Sequence, residues 1–472
     1  MVYKQLAAAA LVLTVINTYT FADTTTQIRF VEAYTIHGAA LSDFMGRSVS
    51  GAGDLNKDGY DDVLIGAMGV DNPDGTQGQA IVVSGIDGSI LYRFQGANSR
   101  DYFGDSVSGA GDVNNDGYPD LLVGAPNERV LGAANEYARI FSGRDGSPLY
   151  TLTAPTAATD FGSAVSGVGD VNNDGFDDVV IGAYSDDTAG SNAGAATVYS
   201  GRDGTILYQF FGENDRNLFG FSVSGAGDLN QDGHADIVIG AKRADKGINT
   251  PGSVYIYSGI DGSHLYDRNN ALGGAVFYGR KDFDQFGGAV SDAGDVNNDG
   301  FPDIIVGAET ADVSAISSGA IKVISGIDGS DIYASSFPLN YAIAGDNFND
   351  NFGFAVSGIG DVNQDGFDDM AVGAVEPNNE SGYVRIISGA DGSQLAKLRG
   401  DQRGDYFGAS VSDAGDINGD GLPDLVVGAW YGGENNGGYA RVFVTQIVPE
   451  PTSIAMLGLS GFALIRRRRA MR

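Results

Sequence analysis

One segment recurs seven times along the chain and constrains its fold more than any other feature. At 103–112 it reads Phe-Gly-Asp-Ser-Val-Ser-Gly-Ala-Gly-Asp, and each copy leads into an Asp-x-Asn-x-Asp-Gly-x-x-Asp motif. The first Asp of this motif is Asp54, Asp112, Asp170, Asp228, Asp295, Asp361 and Asp416. The copies are therefore 58, 58, 58, 67, 66 and 55 residues apart. A long period of this kind indicates that one supersecondary unit is repeated.

Each repeat contains four short segments with the composition of β-strands. Small alternating residues precede the Asp-rich motif, and a β-branched run such as 62–67 follows it. A further apolar segment, as at 80–85, ends at an Asp-Gly turn that leads into a fourth, as at 90–94. Asp-Gly between apolar runs is a strong hairpin signal. Four antiparallel strands, repeated seven times, predict an all-β, seven-bladed β-propeller.

The two ends of the repeat region complement each other. The last repeat stops after its third strand, at 439–445, whereas segment 33–38 has the pattern of the fourth strand at 91–96. Tyr34 lies 11 residues before Met45-Gly46, just as Tyr92 lies 11 residues before Phe103-Gly104. We therefore predict that the N-terminal strand completes the last blade, which leaves no sheet edge exposed.

The Asp-rich motif has the donor spacing of a calcium loop. Ca²⁺ prefers about six to eight oxygen ligands. Positions 1, 3 and 5 of a tight loop can point side-chain oxygens at one centre, position 6 is a Gly that permits the turn, and position 7 offers its carbonyl. Position 12, where an EF-hand has a bidentate Glu, is Ile or Val in every copy. We therefore expect the Asp at position 9 to complete each site.

This reasoning predicts up to seven Ca²⁺ ions. A solvated turn without metal is the alternative, which seven intact copies disfavour, and Mg²⁺ is less suited because it demands stricter octahedral geometry. The predicted ligands are Asp54, Asn56, Asp58, Tyr60, Asp62; Asp112, Asn114, Asp116, Tyr118, Asp120; Asp170, Asn172, Asp174, Phe176, Asp178; Asp228, Asn230, Asp232, His234, Asp236; Asp295, Asn297, Asp299, Phe301, Asp303; Asp361, Asn363, Asp365, Phe367, Asp369; and Asp416, Asn418, Asp420, Leu422, Asp424.

Composition excludes several functional classes. The net charge is −33, from 28 basic and 61 acidic residues, so the basic footprint of a nucleic-acid binder is missing. There is no cysteine, and the three histidines, His37, His234 and His264, form no recognisable triad or zinc motif. The seven loops use three acidic residues each, 21 in all, so paired carboxylates are weak evidence for glycosidase chemistry. We predict no enzymatic activity.

Both ends of the chain have the pattern of export segments. Lys4, the apolar run 6–16 and the small residue Ala22 predict a secretory signal peptide over 1–22, with a buried core helix as the alternative. Residues 23–446 are the predicted propeller. Within 447–472, a Pro-Glu-Pro motif at 449–451 precedes an apolar stretch, 452–465, and four arginines at 466–469. The stretch is shorter than the ~20 residues that span a membrane comfortably, and the arginines should stay cytoplasmic.

Two resemblances add to these expectations. The Phe-Gly before six of the loops and the Gly-Ala after all seven, complete as Gly124-Ala125-Pro126, resemble the FG-GAP repeats of integrin α-subunit propellers over residues 27–446. Integrin α-subunits carry the metal motif in only some blades, whereas this chain has it in all seven. The tail resembles the PEP-CTERM sorting signal of Gram-negative bacteria. That resemblance implies processing by signal peptidase and an exosortase-type protease, transient insertion of the precursor in the inner membrane through the tail alone, and delivery to the outer surface or extracellular matrix; a retained anchor is the alternative.

The ligand surface is predicted from the up-and-down topology of a blade. Loops between strands 1 and 2 and strands 3 and 4 share one face, and the more variable 2–3 loops and 4–1 connections share the other, where recognition usually resides. We expect ligand contacts from Trp430, Tyr431, Asn269–Lys281 and Ser335–Asn347, with both long segments following an outer strand. Local packing of Trp430 and merely tolerated insertions are the alternatives. Blade structure explains Asp405 of Arg403-Gly404-Asp405, so we do not expect an adhesive tripeptide.

The function predicted from the sequence is recognition or adhesion at the cell surface or in the matrix, with an extracellular protein or polysaccharide as the ligand. A calcium-stiffened matrix component without a specific ligand is the first alternative. A hydrolase that uses propeller carboxylates is the second.

Overall fold

The computed structural model describes residues 27–72, 75–126, 136–155, 160–244, 250–266, 276–333, 341, 343–375 and 380–448. Seven four-stranded antiparallel sheets account for nearly all of the regular structure, so the predicted seven-bladed propeller is confirmed. The signal peptide predicted at 1–22 and residues 449–472 of the predicted sorting segment lie outside these ranges. No helix among the described residues is long and apolar enough to cross a membrane.

The blades are numbered by the Asp-rich loop they contain, and the strands in chain order. Blade 1 has β2 (Met45–Gly53), β3 (Asp62–Ala67), β6 (Gln79–Val83) and β7 (Ile90–Gln95). Blade 2 has β8 (Val107–Gly111), β9 (Asp120–Ala125), β10 (Tyr137–Phe141) and β11 (Pro148–Thr153). Blade 3 has β12 (Phe161–Gly169), β13 (Asp178–Ala183), β14 (Ala195–Tyr199) and β15 (Ile206–Phe211). Blade 4 has β16 (Phe219–Gly225), β17 (Ile237–Ala241), β18 (Ser253–Tyr257) and β19 (Val276–Tyr278).

The remaining blades follow the same order. Blade 5 has β20 (Phe286–Gly294), β21 (Asp303–Ala308), β22 (Ala320–Ile324) and β23 (Ile343–Ala344). Blade 6 has β24 (Ala355–Gly358), β25 (Met370–Ala374), β26 (Tyr383–Ile387) and β27 (Gln394–Arg399). Blade 7 has β28 (Phe407–Gly415), β29 (Asp424–Ala429), β30 (Tyr439–Val448) and β1 (Gln27–His37). A small hairpin, β4 (Asp71–Asn72) and β5 (Gly75–Thr76), and a 3-10 helix, Glu434–Asn436, lie in 2–3 loops.

The ring closes through the N-terminal strand, as predicted. β1 pairs with β30 and forms the outer edge of blade 7. The Arg441 side chain on β30 reaches β1, where its Nε lies 3.4 Å from a Glu32 carboxylate oxygen and 3.2 Å from Thr35 Oγ1. Each innermost strand contacts the innermost strands of two neighbouring blades, including β2 against β28. Closure therefore joins the two ends of the propeller in one sheet.

The hydrophobic core lies between the blades. Each second strand is completely buried, and its apolar side chains pack alternately on the two adjacent sheets. In one such interface Leu64 and Val82 of blade 1 meet Phe103 and Val123 of blade 2. The Gly of each Gly-Ala pair permits this close approach, because a Cβ at Gly66 would lie 2.1 Å from the carbonyl oxygen of Gly104 in the next blade.

The two insertions differ from the prediction in one respect. The outer strands of blades 4 and 5, β19 and β23, lie within the segments 269–281 and 335–347, which were predicted to follow the fourth strand. Before them, isolated bridges join Tyr257 to His264 and Ile324 to Asp331. The insertions therefore interrupt the fourth strand, and the expectation that they follow it was wrong. The outer strand tolerates interruption because only one of its edges pairs with another strand.

Candidate functional site

The seven Asp-rich motifs form seven similar loops between the first and second strand of each blade. In loop 1 the Asp54 carboxylate accepts the backbone N–H groups of Asp58 and Gly59 at 3.0 and 2.9 Å. The equivalent two bonds occur in every loop at 2.7–3.1 Å. The position-6 Gly has positive φ in each loop, 90° at Gly59, which explains why a residue with a side chain is absent there.

Hydrogen bonds also connect positions 3, 5 and 7 of loop 1. Asn56 Oδ1 accepts the N–H of Asp58 at 2.8 Å, and Asp58 Oδ1 accepts the N–H of Tyr60 at 3.0 Å. The structure thus brings the predicted side chains at positions 1, 3 and 5 together in one turn. At position 7 the predicted metal ligand is the backbone carbonyl oxygen and not the side chain. The His234 side chain makes a different contact, since its Nδ1 lies 2.8 Å from the Val171 carbonyl oxygen.

The Asp at position 9 has a second role that the sequence did not reveal. Asp178 is completely buried, and its two carboxylate oxygens accept the N–H of Val171 at 3.0 Å and the N–H of Gly201 at 2.9 Å. Val171 belongs to the loop and Gly201 to the turn between strands three and four. The buried carboxylate therefore joins two turns on the same face of the blade.

Burial of this carboxylate is electrostatically unfavourable. Burial is the main cause that raises the pKa of Asp178 to about 7; the neighbouring carboxylates of Asp170 and Asp174 act in the same direction, and the two backbone hydrogen bonds act against it. The same causes raise the pKa of Asp62 to about 6 and that of Asp369 to about 8. The position-9 carboxylate thus lies near two others, and no positively charged side chain contributes to these pKa shifts. Such a concentration of negative charge is the electrostatic setting of a cation site.

Unpartnered oxygens also fit a hard cation. The amide oxygens of Asn114 and Asn297, both at position 3, are buried and have no hydrogen-bond partner. Ca²⁺ takes carboxylate, amide and carbonyl oxygens, which are the donors at positions 1, 3, 5, 7 and 9. In the described part of the chain, no three His, Cys, Asp or Glu side chains are already arranged around one metal position. The oxygen donors of these loops therefore fit Ca²⁺.

The opposite face contains the 2–3 loops and the connections between blades. Hydrogen bonds tie these two kinds of loop together, for example from Gly69 N to Asp43 O at 3.1 Å and from Tyr431 N to Asp405 O at 3.2 Å. The predicted grouping of loops on two faces agrees with this pattern. Of the segments expected to contact a ligand, 269–275, 335–340 and 342 lie outside the described residues.

Trp430 and Tyr431 occupy different environments on this face. The Trp430 ring is half-buried, and the Arg47 guanidinium lies over it, 4.1 Å from the ring centre. Tyr406 and Phe354 also contact this ring edge-on. Tyr431 is 41% exposed. These contacts favour local packing for Trp430 and leave Tyr431 as the accessible aromatic side chain.

A cavity of ≈420 Å³ opens on the same face where blades 4 and 5 meet. Arg216, Arg243 and Phe283 are among its lining residues, and Phe283 is 72% exposed. Neither guanidinium group forms an ion pair within the described residues, whereas the neighbouring Lys242 pairs with Glu309 at 2.7 Å. In the described part of the chain, the cavity thus combines two guanidinium groups that form no ion pair with an exposed ring and with the carboxylate of Asp215.

The Arg-Gly-Asp tripeptide is explained by the blade, as expected. Asp405 is completely buried, and its Oδ2 accepts the Tyr439 hydroxyl at 2.8 Å and the Gln402 N–H at 3.1 Å. Asp101 and Asp350 are buried in the same way and accept the hydroxyls of Tyr137 and Tyr383. The sequence signal for this group is the recurrence of Asp two residues before Phe-Gly.

Comparison with known proteins is consistent with this geometry. The FG-GAP repeat model matches residues 45–83, 103–138, 161–199, 219–257, 287–324 and 407–443, in six of the seven blades. Integrin alpha-5 of Xenopus laevis is 32% identical over 220 residues, which is 43% of this chain and 20% of that protein. Integrin alpha-4 of Xenopus laevis is 35% identical over 179 residues, 34% of this chain and 16% of that protein.

A solved structure supports the fold alone. Raptor of Chaetomium thermophilum superposes with a TM-score of 0.50 and 12% identity, covering 90% of this chain and 30% of that one. The chain spans about a fifth of the length of the integrin subunit it matches over 220 residues. Together with the observed sheets, the repeat matches and these relatives show that the chain carries FG-GAP repeats and forms an integrin α-like β-propeller.

Proposed function

We propose that this protein is an exported, calcium-binding propeller that recognises an extracellular protein or polysaccharide. The observation that carries the proposal is the division of the propeller into two unlike faces. One face repeats the same acidic loop seven times, and the other combines irregular loops with a cavity that is lined by Arg216 and Arg243. A uniform face suits a scaffold, and an irregular face on a rigid scaffold suits recognition.

Calcium supplies the countercharge that the uniform face needs. Each loop offers three carboxylates, an amide oxygen and a carbonyl at the predicted spacing, and position 9 is buried beside two other acidic residues. When bound, Ca²⁺ would neutralise these carboxylates and fix each loop against its blade. Seven ions would add 14 positive charges to the net charge of −33.

The cavity between blades 4 and 5 favours a ligand with anionic groups. Guanidinium groups bind carboxylates through paired hydrogen bonds, and the exposed Phe283 ring offers an apolar surface next to Arg216 and Arg243. Tyr431 provides a second accessible aromatic group on the same face. No catalytic residue is part of this proposal.

The proposed location is the outer surface or extracellular matrix. It rests on the signal peptide and PEP-CTERM-like tail of the sequence, with signal peptidase and an exosortase-type protease as the processing partners. Intact-mass measurement of the exported protein tests it. We expect a species that lacks residues after about Pro451, and a surface form that still contains Arg466–Arg472 would indicate a retained anchor instead.

Binding of the purified propeller to glycan and protein arrays, with Ca²⁺ and with chelator, tests the recognition proposal. We expect calcium-dependent binding that is lost in the Arg216→Ala, Arg243→Ala double variant. The matched control is Arg93→Ala on the outer strand β7, which should bind like the parent. A propeller that binds calcium but no array component would support the alternative, a structural matrix protein without a specific ligand.

A further inference from the structure

Position 8 of the calcium loops divides them into two classes. It is Asp61, Asp177, Ala235 and Asp368 in loops 1, 3, 4 and 6. It is Pro119, Pro302 and Pro423 in loops 2, 5 and 7. Proline has no backbone N–H. The two classes therefore differ in whether the loop can donate a hydrogen bond at this point.

Every position 8 that has an N–H donates it to the preceding blade. The acceptor is in each case the carbonyl oxygen of position 1 of the preceding loop. The bonds are Asp61 to Asp416 at 3.2 Å, Asp177 to Asp112 at 3.4 Å, Ala235 to Asp170 at 3.3 Å and Asp368 to Asp295 at 3.2 Å. Each of these loops thus donates a hydrogen bond to the first residue of the preceding loop in the ring.

Three of these links are doubled by a side chain. Asp61 Oδ2 accepts the N–H of Asp416 at 2.8 Å, so the two residues exchange hydrogen bonds in both directions. Asp177 and Asp368 do the same with Asp112 at 2.7 Å and Asp295 at 2.8 Å. A doubled bond fixes the backbone of position 1, which supplies the first predicted ligand of its loop.

The linking N–H belongs to the same peptide group as the position-7 carbonyl. In loop 1 this group joins Tyr60 to Asp61, and the Tyr60 carbonyl is a predicted ligand. A cation on that oxygen polarises the peptide and strengthens its N–H as a donor. Binding in loop 1 would then stabilise the position of Asp416 in loop 7 before an ion binds there, and the effect is reciprocal.

We propose that calcium binding is positively coupled between loops joined through position 8 and that the three prolines interrupt this coupling. The coupled groups are loops 7 and 1, loops 2, 3 and 4, and loops 5 and 6. This inference rests on the calcium sites of the proposed function. At the boundary between loops 1 and 2, Pro119 packs against Gly53, which immediately precedes loop 1: a Cβ at Gly53 would lie 2.9 Å from the proline ring. Proline has no N–H with which to form the link.

Two side-chain contacts cross proline boundaries and determine where the test is placed. Gln231 Nε2 donates to the Gly300 carbonyl at 2.8 Å between loops 4 and 5. Between loops 1 and 2, the Lys57 ammonium lies 3.8 Å above the Tyr118 ring, which involves no loop carbonyl or N–H. Loop 1 is therefore the best reporter, because it is linked to loop 7 and separated from loop 2 by Pro119.

Terbium luminescence can follow loops 1 and 7 through the Tyr60 ring. Tb³⁺ replaces Ca²⁺ as the probe, in the Tyr118→Phe protein, and the signal is the emission lost on Tyr60→Phe. The Tyr60 ring lies against Gly419 of loop 7, so the signal includes both loops. Asp420→Ala removes a ligand from loop 7, and Asp116→Ala removes the equivalent ligand from loop 2. The two variants disable the two neighbours of loop 1 in the same way.

We expect Asp420→Ala to raise the half-saturating Tb³⁺ concentration of the Tyr60 signal about fivefold or more, and Asp116→Ala to leave it unchanged. Pro119→Ala restores an N–H, and Ala235 shows that alanine fits this position. In that background, Asp116→Ala should also raise the half-saturating concentration. This second comparison keeps the reporter constant and is therefore independent of differences in affinity between loops 1 and 7.

The coupling would be refuted if Asp420→Ala lowered only the amplitude of the signal, or if the response to Asp116→Ala were the same with Pro119 intact and in the Pro119→Ala background. Tb³⁺ emission that does not depend on Tyr60 in the parent would refute the calcium sites themselves, and with them this inference. Binding without coupling leaves the proposed function intact.

Discussion

The two roles of the loop carboxylates can be separated by substituting position 5 or position 9 of one loop. Asp178→Ala leaves the buried N–H groups of Val171 and Gly201 without an acceptor. Each unsatisfied group costs about 1–3 kcal/mol, so the expected loss is about 2–6 kcal/mol in chelator. Asp174→Ala removes one bond, from the Phe176 N–H at 3.2 Å, and should cost about 1 kcal/mol.

Calcium should increase the destabilisation of both variants by the same amount, which changes the result most for Asp174→Ala. An ion that binds only the folded protein contributes about 3 kcal/mol per site at 100 times its dissociation constant, and both variants lose that contribution in loop 3. In calcium the Asp174→Ala protein should therefore be about 4 kcal/mol less stable than the parent, whereas in chelator it should be nearly as stable.

Urea unfolding followed by circular dichroism, with Ca²⁺ and with chelator, measures these differences. Asp178→Ala should be strongly destabilised in both conditions and Asp174→Ala mainly in calcium. Equal destabilisation of the two variants in chelator would contradict the role assigned to Asp178. An Asp174→Ala protein that matched the parent in calcium would contradict the metal site in loop 3.

Three further predictions concern the scaffold. Deleting residues 27–38 should expose the edge of β30 and cause aggregation or a large fall in melting temperature, and a deletion that melts like the parent would contradict closure by β1. Gly182→Ala would place a Cβ 2.2 Å from the Gly220 carbonyl oxygen in the next blade, so thermal unfolding should show a loss of about 1–3 kcal/mol or more, and an unchanged melting temperature would show that the blades separate easily. Burial, together with the nearby Asp61 carboxylate, raises the pKa of Asp413 to about 6. The folded protein therefore holds this proton more tightly than the unfolded chain, and the stability that protonated Asp413 contributes is lost as pH rises from about 4 through 6. Asp413→Asn should therefore stabilise the protein at pH 8 and not at pH 4, and equal effects at both pH values would refute the assignment.

Regularity made the propeller predictable from the sequence. The Asp-Gly turns and β-branched runs recur at nearly constant spacing, and Tyr34 stands at the distance from Met45-Gly46 that a fourth strand requires. These signals are local, so they do not depend on how distant parts of the chain meet. The same local spacing places the position-1 carboxylate within hydrogen-bond distance of the position-5 N–H in each loop.

Features that depend on contacts between blades were harder to predict. Arg47 covers Trp430 only because blade 1 follows blade 7 in the closed ring. The bond between Asp61 and Asp416 likewise joins blades 1 and 7, and the bond from the Gly201 N–H to Asp178 joins two turns of one blade that are separated by two strands. The outer strands of blades 4 and 5 could not be bounded from the sequence, because the third strand pairs at one end with a residue before the insertion and at the other end with residues after it.

The number of calcium ions bound per chain tests the central claim most directly. Equilibrium dialysis of the purified propeller against buffered Ca²⁺, with the melting temperature recorded in parallel, gives both stoichiometry and stabilisation. We expect up to seven bound ions, the loss of at least one with Asp58→Ala or Asp174→Ala, and a marked fall in melting temperature in excess chelator. A chain that binds no calcium at millimolar concentration, or melts at the same temperature with and without chelator, would contradict the claim.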